Sequence, residues 1–212
     1  LAGLLSALRV TGGTLDGQRL LFMGAGEAAT GIADLAVAAM VEGGADAAQA
    51  RRRCWLFDSK GLVVADRSDL AEHKRPYAHA HAPQTDFLAA IRALEPTALI
   101  GVAATAGTFT QAVLGEMTRL NARPIVFALS NPTSKAECTA QQAYEWSDGR
   151  ALFACGSPFD PVRLAGHEHV PRQGNNSYIF PGVGLGVIAC HAARVTDSMF
   201  MASARMLAES VT

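Results

Sequence analysis

The amino-acid sequence predicts an α/β fold in which a doubly wound, mostly parallel sheet is followed by helices at the carboxyl end. Short apolar segments alternate with segments of helical periodicity along the 212 residues. The apolar segments show little internal alternation, which is typical of strands covered on both faces. Half of the residues are hydrophobic and 17% are charged, so the chain can bury a large core.

Five segments have the pattern of buried parallel strands: residues 19–23, 53–58, 98–102, 124–128 and 151–154. Helical patterns cover residues 27–42, 45–52, 87–94, 110–121, 139–147, 184–193 and 197–210. We expect one domain over residues 1–212, with an entry helix at 1–15 and C-terminal helices at 183–212. Because crossovers between parallel strands are right-handed, this order predicts the doubly wound sheet.

The turn after the first predicted strand carries the most informative motif. Residues 19–31 read RLLFMGAGEAATG, and Gly24, Gly26 and Ala29 occupy the G-x-G-x-x-A positions of a Rossmann-like dinucleotide-binding turn. Gly24 permits a tight turn, and Gly26 lets a pyrophosphate approach the backbone at a helix N-terminus. Glycine turns also occur in sheets that bind nothing. The predicted pyrophosphate site comprises Gly24, Ala25, Gly26, Glu27, Ala28 and Ala29.

Polar and basic residues follow the second predicted strand. An acidic residue at the position of Asp58 usually accepts hydrogen bonds from the adenosine ribose, although it also suits a turn with Gly61. Ser59 lies next to it. Its hydroxyl and the nearby cations could hold a 2′-phosphate, or the cations could form a solvated basic loop. These cations are Lys60, Arg67, Lys74 and Arg75.

Small or amide side chains follow the later predicted strands. The segment GVAATAG, residues 101–107, leaves room for a flat ligand, although close packing uses the same residues. Asn131 precedes a proline and offers an amide that both donates and accepts hydrogen bonds. Asn175 and Asn176 follow a glycine, which indicates a turn first and recognition of carboxylate, hydroxyl or carboxamide groups second.

Composition narrows the function classes. A net charge of −1 gives no electrostatic case for nucleic acid or an anionic membrane, and no apolar run reaches the ~18 residues that span a bilayer. The four cysteines are scattered, which favours reduced thiols in a cytoplasmic protein. The histidine pairs 79/81 and 167/169 lack further ligands nearby, so we interpret them as loop histidines without a metal.

With these motifs assembled, the sequence resembles the malic enzymes, specifically their nucleotide-binding domain. Five segments carry the resemblance in the family's order: GAGEAATG at 24–31, DSKG at 58–61, FALSNPTSKAEC at 127–138, GSPF at 156–159 and QGNNSYIFPG at 173–182. The resemblance implies oxidative decarboxylation of (S)-malate to pyruvate and CO2, with NAD(P)+ as hydride acceptor and Mg2+ or Mn2+ as the assisting metal.

The resemblance also implies residue roles. By matching position, Asn131 and Asn175 or Asn176 contact malate and the nicotinamide carboxamide, and Asp58 contacts the adenosine ribose. Lys74 lies three residues ahead of Tyr77-Ala78-His79 and resembles the family's lysine for the 2′-phosphate. We therefore expect NADP+ to be favoured over NAD+.

The family's general base and acid, a lysine and a tyrosine, and its metal ligands lie upstream of the point where this sequence begins. We expect a piece of a longer homo-oligomeric enzyme that has no catalytic or metal-ligating residue of its own and binds nucleotide without turnover. We assign Asp34, Glu137 and Asp160 simpler roles, on a helix face, near a cap and in a turn. Exposed apolar surface is expected where the missing N-terminal portion would pack.

Two other interpretations stay open at this point. One is a different dehydrogenase, for 2-hydroxy acids or amino acids, on the same scaffold. It would need its own catalytic histidine or lysine, yet no histidine stands at a predicted strand end, and His191 lies in a helical pattern. The other is a nucleotide-sensing or assembly module without catalysis.

Overall fold

The structure is a computed structural model that describes residues 1–211. Its central feature is one large mixed sheet with helices on both faces. The strands are β1 Leu20–Met23, β2 Cys54–Asp58, β3 Gly61–Leu62, β4 Ala98–Gly101, β5 Ile125–Ala128, β6 Leu152–Cys155, β7 Val162–Leu164, β8 His167–His169 and β9 Arg172–Gln173. The α-helices are α1 Ala2–Thr11, α2 Glu27–Glu42, α3 Ala47–Arg52, α4 Phe87–Leu94, α5 Gln111–Leu120, α6 Ala140–Glu145, α7 Phe180–Cys190 and α8 Asp197–Ser210.

The strand order explains where a ligand can bind. Within residues 1–211 the seven-stranded sheet has the order β3-β2-β1-β4-β5-β6-β9, and only β3 runs antiparallel to its neighbour. The chain passes from β1 to β2 on one side and then crosses to β4 on the other side of β1. Ligands of such sheets bind at the carboxyl ends of the strands beside this reversal. The predicted doubly wound, mostly parallel sheet is confirmed.

Both faces of the sheet are buried because successive side chains of a strand point in opposite directions. Leu20 and Phe22 of β1 pack in one core with Ala33 of α2, and all three are fully buried. Leu21 packs in the other core with Ile91 of α4, which is also fully buried. This two-sided burial accounts for strands that are apolar along their whole length.

Side-chain caps fix several helix starts. Thr110 accepts a hydrogen bond from the backbone N–H of Val113, and Thr139 and Gln142 form a reciprocal capping box. The helices at 27–42, 87–94 and 197–210 have their predicted bounds. Asp86 caps the helix at 87–94, whereas the helices at 27–42 and 197–210 have no side-chain cap, so periodicity alone predicted their bounds.

Several bounds differ from the prediction. Helix α1 ends at Thr11 instead of 15, because Gly12 has a φ of 72°. Helix α7 starts at Phe180 instead of 184, since a proline in its first turn is compatible with a helix start, and it ends before His191, whose φ is 51°. His191 is thus a helix cap and not a residue inside the helix. The short strand β3, the β7–β8 hairpin and β9 were not predicted.

The C-terminal helices pack unequally. Helix α8 contacts α1 and α2, and Arg205 of α8 pairs with Glu42 of α2 at 3.0 Å. Helix α7 leaves large apolar side chains on the surface: Phe180, Leu185 and Ile188 are 55%, 69% and 72% exposed. No helix within residues 1–211 has the length and hydropathy needed to cross a membrane.

Candidate functional site

The glycine turn lies at the carboxyl end of β1, beside the reversal of strand order. Gly24 has a φ of 122°, and its N–H donates to the Phe57 carbonyl at 2.8 Å. A Cβ on Gly24 would lie 3.1 Å from the backbone of Val102 and Ala103. Both the left-handed conformation and this close approach require glycine, so the fold itself accounts for Gly24.

Gly26 has a different surrounding. It is the N-cap of α2 with extended backbone, and a Cβ there would meet no protein atom within 4 Å. No side chain among residues 1–211 caps this helix, and Glu27 points to solvent with 87% of its side chain exposed. The open space and the uncapped N–H groups suit an anion such as a pyrophosphate. Ala28 is exposed in the first turn, whereas Ala29 is fully buried in the core.

A second segment closes over this turn. The 3-10 helix Glu72–Tyr77 carries His73, whose Nε2 lies 3.2 Å from the Ala25 carbonyl oxygen and whose Nδ1 lies 3.6 Å from Glu27 Oε1. This contact holds the following residue, Lys74, next to the nucleotide turn. The sequence offers no pattern that would have revealed His73.

Asp58, at the end of β2, lies at the centre of a charged cluster. Its Oδ1 accepts from Arg67 Nη1 and from the Lys60 N–H, both at 2.9 Å. Its Oδ2 accepts from Arg67 Nη2 at 3.1 Å and from Lys74 Nζ at 2.7 Å. A carboxylate offers about four acceptor positions, and these contacts occupy them. Asp58 therefore anchors cations in this structure, and its predicted contact with the ribose stays a prediction.

The charges keep this cluster ionised. Partial burial raises the pKa of Asp58, but the hydrogen bonds from Arg67, Lys74 and the Lys60 amide outweigh it, so the pKa lies below the ordinary carboxyl value. Hydrogen bonds from Arg67 and Lys60 likewise lower the pKa of Asp69. Both carboxylates are anions at neutral pH, and with three cations the cluster carries a net positive charge.

The side chains of this charged cluster differ in how many of their hydrogen-bond donors are already used. Arg67 directs Nε and Nη2 to Asp69, Nη1 and Nη2 to Asp58, and Nη1 also to the Gly61 carbonyl, which uses all five of its N–H groups. Lys74 uses one of its three N–H groups. The Ser59 hydroxyl has no partner within residues 1–211. Lys74 and Ser59 thus retain donors for a ligand.

The predicted amide residues meet on the other side of the reversal. Ser157 Oγ donates to Asn131 Oδ1 at 2.6 Å, and a Cβ on Gly156 would lie 2.7 Å from the same oxygen. Pairing of β9 with β6 brings Asn175 to this edge, where its Nδ2 lies 3.5 Å from the Gly156 carbonyl oxygen. The Asn131 amide N–H groups have no partner within the described chain. They remain available to a ligand.

Asn175 and Asn176 lie differently. Asn175 caps the 3-10 helix Asn176–Tyr178 through the Ser177 N–H at 2.9 Å, whereas the Asn176 side chain makes no hydrogen bond inside residues 1–211. The structure therefore joins Asn131 and Asn175 around Gly156 and leaves Asn176 beside them. Ser157 was missed as part of this group, although its position after a predicted strand was a usable signal.

The three acidic residues with assigned simple roles separate in the structure. Asp34 lies on the α2 face and accepts from the Tyr77 hydroxyl at 2.5 Å, and Asp160 is exposed beyond β6. Glu137, in contrast, is fully buried, and its Oε1 accepts from Ser130 Oγ at 2.5 Å. The interpretation of Glu137 as a residue merely near a cap was wrong, because the carboxylate turns inward toward the strand ends.

No group of three or more His, Cys, Asp or Glu side chains within residues 1–211 could hold a metal ion. The histidine pair 167/169 lies in β8 and not in a loop, and one histidine of each pair packs against the core. His79 Nε2 lies 2.9 Å from the Cys54 carbonyl oxygen, with its ring 4.7 Å from Trp55, and His169 stacks on Tyr144 at 4.6 Å.

The strand order, the glycine turn and the uncapped α2 N-terminus define a nucleotide-binding domain of the Rossmann type. A family model described as "Malic enzyme, NAD binding domain" matches residues 1–212. The chain therefore belongs to the malic enzyme family, as the resemblance of its motifs predicts.

Named relatives and solved structures agree. The NADP-dependent malic enzyme of Rattus norvegicus is 52% identical over 212 residues, which is 100% of this chain and 37% of that protein. The chloroplastic NADP-dependent malic enzyme of Oryza sativa subsp. japonica is 51% identical over 214 residues, 100% of this chain and 34% of that protein. The chain thus spans little more than a third of the length of these relatives.

Among solved structures, the Entamoeba histolytica malic enzyme superposes with a TM-score of 0.74 at 27% identity, over 96% of this chain and 38% of that chain. The NAD-dependent malic enzyme of Thermotoga maritima has a TM-score of 0.73 at 21% identity, over 99% of this chain and 49% of that chain, and supports the fold.

Proposed function

We propose that this chain is the nucleotide-binding part of an NADP-dependent malic enzyme, which converts (S)-malate to pyruvate and CO2. The observation that carries the proposal is the pair of features at the ends of β1 and β2. These are an uncapped helix N-terminus with open space at Gly26 and, next to it, the Asp58 cluster with a net positive charge. The first suits a pyrophosphate and the second suits a 2′-phosphate.

Preference for NADP+ follows from the spare donors. Two hydrogen bonds from Arg67 hold the Asp58 carboxylate in place. Lys74 donates one N–H to that carboxylate and has two N–H groups free. The adjacent Ser59 hydroxyl can donate to the same phosphate. A nucleotide without the 2′-phosphate would leave this positive cluster uncompensated. The rodent relatives named NADP-dependent support the same preference.

Asn131, Asn175 and Asn176 supply the amides for malate and the nicotinamide carboxamide. Ser157 fixes the carbonyl oxygen of Asn131, so the Asn131 amide nitrogen faces the ligand side. Bound NADP+ supplies the acceptor for the hydride that leaves C2 of malate. The proton that leaves the C2 hydroxyl and the proton that C3 gains after CO2 departs pass through acid and base groups outside residues 1–211. The residues of this chain bind and orient the reactants.

We assign no general base, general acid or metal ligand to residues 1–211. In the whole enzyme these groups, with Mg2+ or Mn2+, belong to the remainder of the polypeptide, and the exposed face of α7 with Phe180, Leu185 and Ile188 is where that remainder would pack. A homo-oligomer would cover further apolar surface. We place the enzyme in the cytoplasm, which suits its unpaired cysteines. Chloroplastic relatives make that organelle the competing location.

Calorimetric titration of NADP+ and then NAD+ into the chain tests the proposal. We expect NADP+ to bind at least tenfold more tightly, because one charge-assisted contact is worth about 1.5–3 kcal/mol. Malate and Mn2+ added to the NADP+ complex should give no reduced nicotinamide absorbance. Turnover by the chain alone would contradict the assignment of the catalytic groups to the remainder of the enzyme. Absence of nucleotide binding would favour an assembly module.

A further inference from the structure

Glu137 is a buried carboxylate that the proposed function has not used. It is fully buried, and no lysine, arginine or histidine nitrogen within residues 1–211 lies within 4 Å of it. Its donors are Ser130 Oγ at 2.5 Å and the Ser130 N–H at 3.4 Å. Burying a carboxylate without a neighbouring cation lowers the stability of the fold. An apolar side chain of similar volume would stabilise the fold at least as well.

The partner of Glu137 connects two loops. Ser130 Oγ donates its proton to Glu137 Oε1, and Ser130 Oγ also accepts a hydrogen bond from the Ala104 N–H at 2.9 Å. Ser130 follows β5, and Ala104 follows β4. Ala104 is exposed and has a φ of 52°, a conformation that L-residues rarely adopt without support. The hydroxyl can hold both loops only when an acceptor orients its proton, and Glu137 is that acceptor.

The backbone around Glu137 strengthens the connection. The Glu137 carbonyl accepts from the Phe109 N–H at 3.0 Å, and the Ala136 carbonyl accepts from the Gly107 N–H at 3.2 Å. The carboxylate also packs against Gly101, the last residue of β4, where any Cβ would overlap it. Glu137 is therefore wedged between the ends of β4 and β5, beneath the loop of residues 102–107.

We propose that Glu137 is a positioning residue for the nicotinamide half of the nucleotide and that it acts through Ser130. This inference rests on the proposed function. The Asp58 cluster lies beyond β1, on the adenosine side, whereas Asn131 directly follows Ser130 on the opposite side of the strand reversal. Glu137 thus sets the loop of residues 102–107 and the amide of Asn131 together, and leaves the adenosine side untouched.

The test compares two ligands on the 212-residue chain. NADP+ contains both halves of the nucleotide, whereas 2′,5′-ADP contains only the adenosine half with its 2′-phosphate. In Ser130→Ala and Glu137→Leu we expect the Kd of NADP+ to rise about tenfold and that of 2′,5′-ADP to change less than about twofold. Glu137→Gln keeps an acceptor oxygen and should recover most of the NADP+ affinity. Ser134→Ala, an exposed serine of the same loop, should change neither.

Equal weakening of both ligands would show that Glu137 only maintains the fold and would overturn the proposal. So would NADP+ binding that is unchanged in Ser130→Ala, which is also the readout if Glu137→Leu fails to fold. Failure of the proposed function looks different, because the wild-type chain would then bind neither ligand.

Amide hydrogen exchange tests the connection without any nucleotide. The Ala104 N–H should exchange at least about tenfold faster in Ser130→Ala, whereas the Leu129 N–H, which bonds the Gly101 carbonyl at 2.9 Å, should not change. An unchanged Ala104 rate would overturn the positioning role even if NADP+ binds.

Discussion

Replacement of Lys74 by alanine tests the 2′-phosphate site most directly. The ammonium lies 2.7 Å from Asp58 Oδ2, with its side chain 20% exposed, and it holds the spare donors of the cluster. Arg67 cannot take over, because all its N–H groups are used. Loss of one or two charge-assisted hydrogen bonds to the phosphate, about 1.5–3 kcal/mol, should raise the Kd of NADP+ roughly 10- to 150-fold.

The Kd of NAD+ should change by less than about threefold in the same variant, because NAD+ carries a hydroxyl where NADP+ carries the phosphate. Stability should hardly change, since Arg67 keeps its two contacts with Asp58. Arg75→Ala is the matched control, an exposed cation in the same 3-10 helix, and it should leave both affinities near wild type. Calorimetry with both nucleotides measures all four values.

Three results would refute this reasoning. The first is an equal loss of NADP+ and NAD+ affinity in Lys74→Ala, which would mean that the lysine supports the turn and not the phosphate. The second is an unchanged preference for NADP+, which would move the site to Ser59 and Lys60. The third is an equal effect of Arg75→Ala, which would show that only the general charge of the helix matters.

Further predictions concern pH and the surface. NADP+ affinity should rise between pH 5.5 and 7, as the 2′-phosphate loses its second proton near pH 6, whereas NAD+ affinity should stay level because the lowered pKa of Asp58 keeps it ionised. Burial lowers the pKa of His79 from 6.5, so the unfolded state binds a proton more readily than the folded state. The free energy of unfolding, measured with urea, should therefore fall as the pH drops below about 7, and it should fall less steeply in His79→Gln. The chain should self-associate in light scattering, and Leu185→Ser with Ile188→Ser should reduce this association, whereas Val10→Ser should not.

The sequence predicts the central sheet because its strands are buried on both faces and its helices carry caps or clear periodicity. The five predicted strands match β1, β2, β4, β5 and β6 to within one residue at either end. The edge strands β3 and β9 span two residues each, so no periodicity exists in them to detect. They form because neighbours already in place offer hydrogen-bond partners, which is information that lies outside the segment itself.

Position after a strand predicted part of the candidate site, but it did not reveal every residue of the site. Asp58 and Asn131 were found because the carboxyl ends of parallel strands line the cleft. His73 was missed because it lies in the 3-10 helix Glu72–Tyr77, and only the folded path of the chain brings it to Ala25. Arg67 was named among the nearby cations, but its paired contacts with Asp58 and Asp69 were not predicted. Glu137 was misjudged because its position in the sequence, two residues before the N-cap Thr139, does not determine which way its side chain points.

Gly24 and Gly26 of the G-x-G-x-x-A motif are required for different physical reasons, and this difference can be tested. At Gly24 the φ of 122° and the nearby backbone of Val102 and Ala103 exclude a side chain, so Gly24→Ala should destabilise the chain by more than about 1 kcal/mol. At Gly26 a Cβ meets nothing in the protein, so Gly26→Ala should cost no more than about 1 kcal/mol, the loss of a favourable N-cap. If the space at Gly26 belongs to a pyrophosphate, the same methyl group should weaken NADP+ and NAD+ alike. A Gly26→Ala chain of near-normal stability that binds both nucleotides at wild-type affinity would place the pyrophosphate elsewhere.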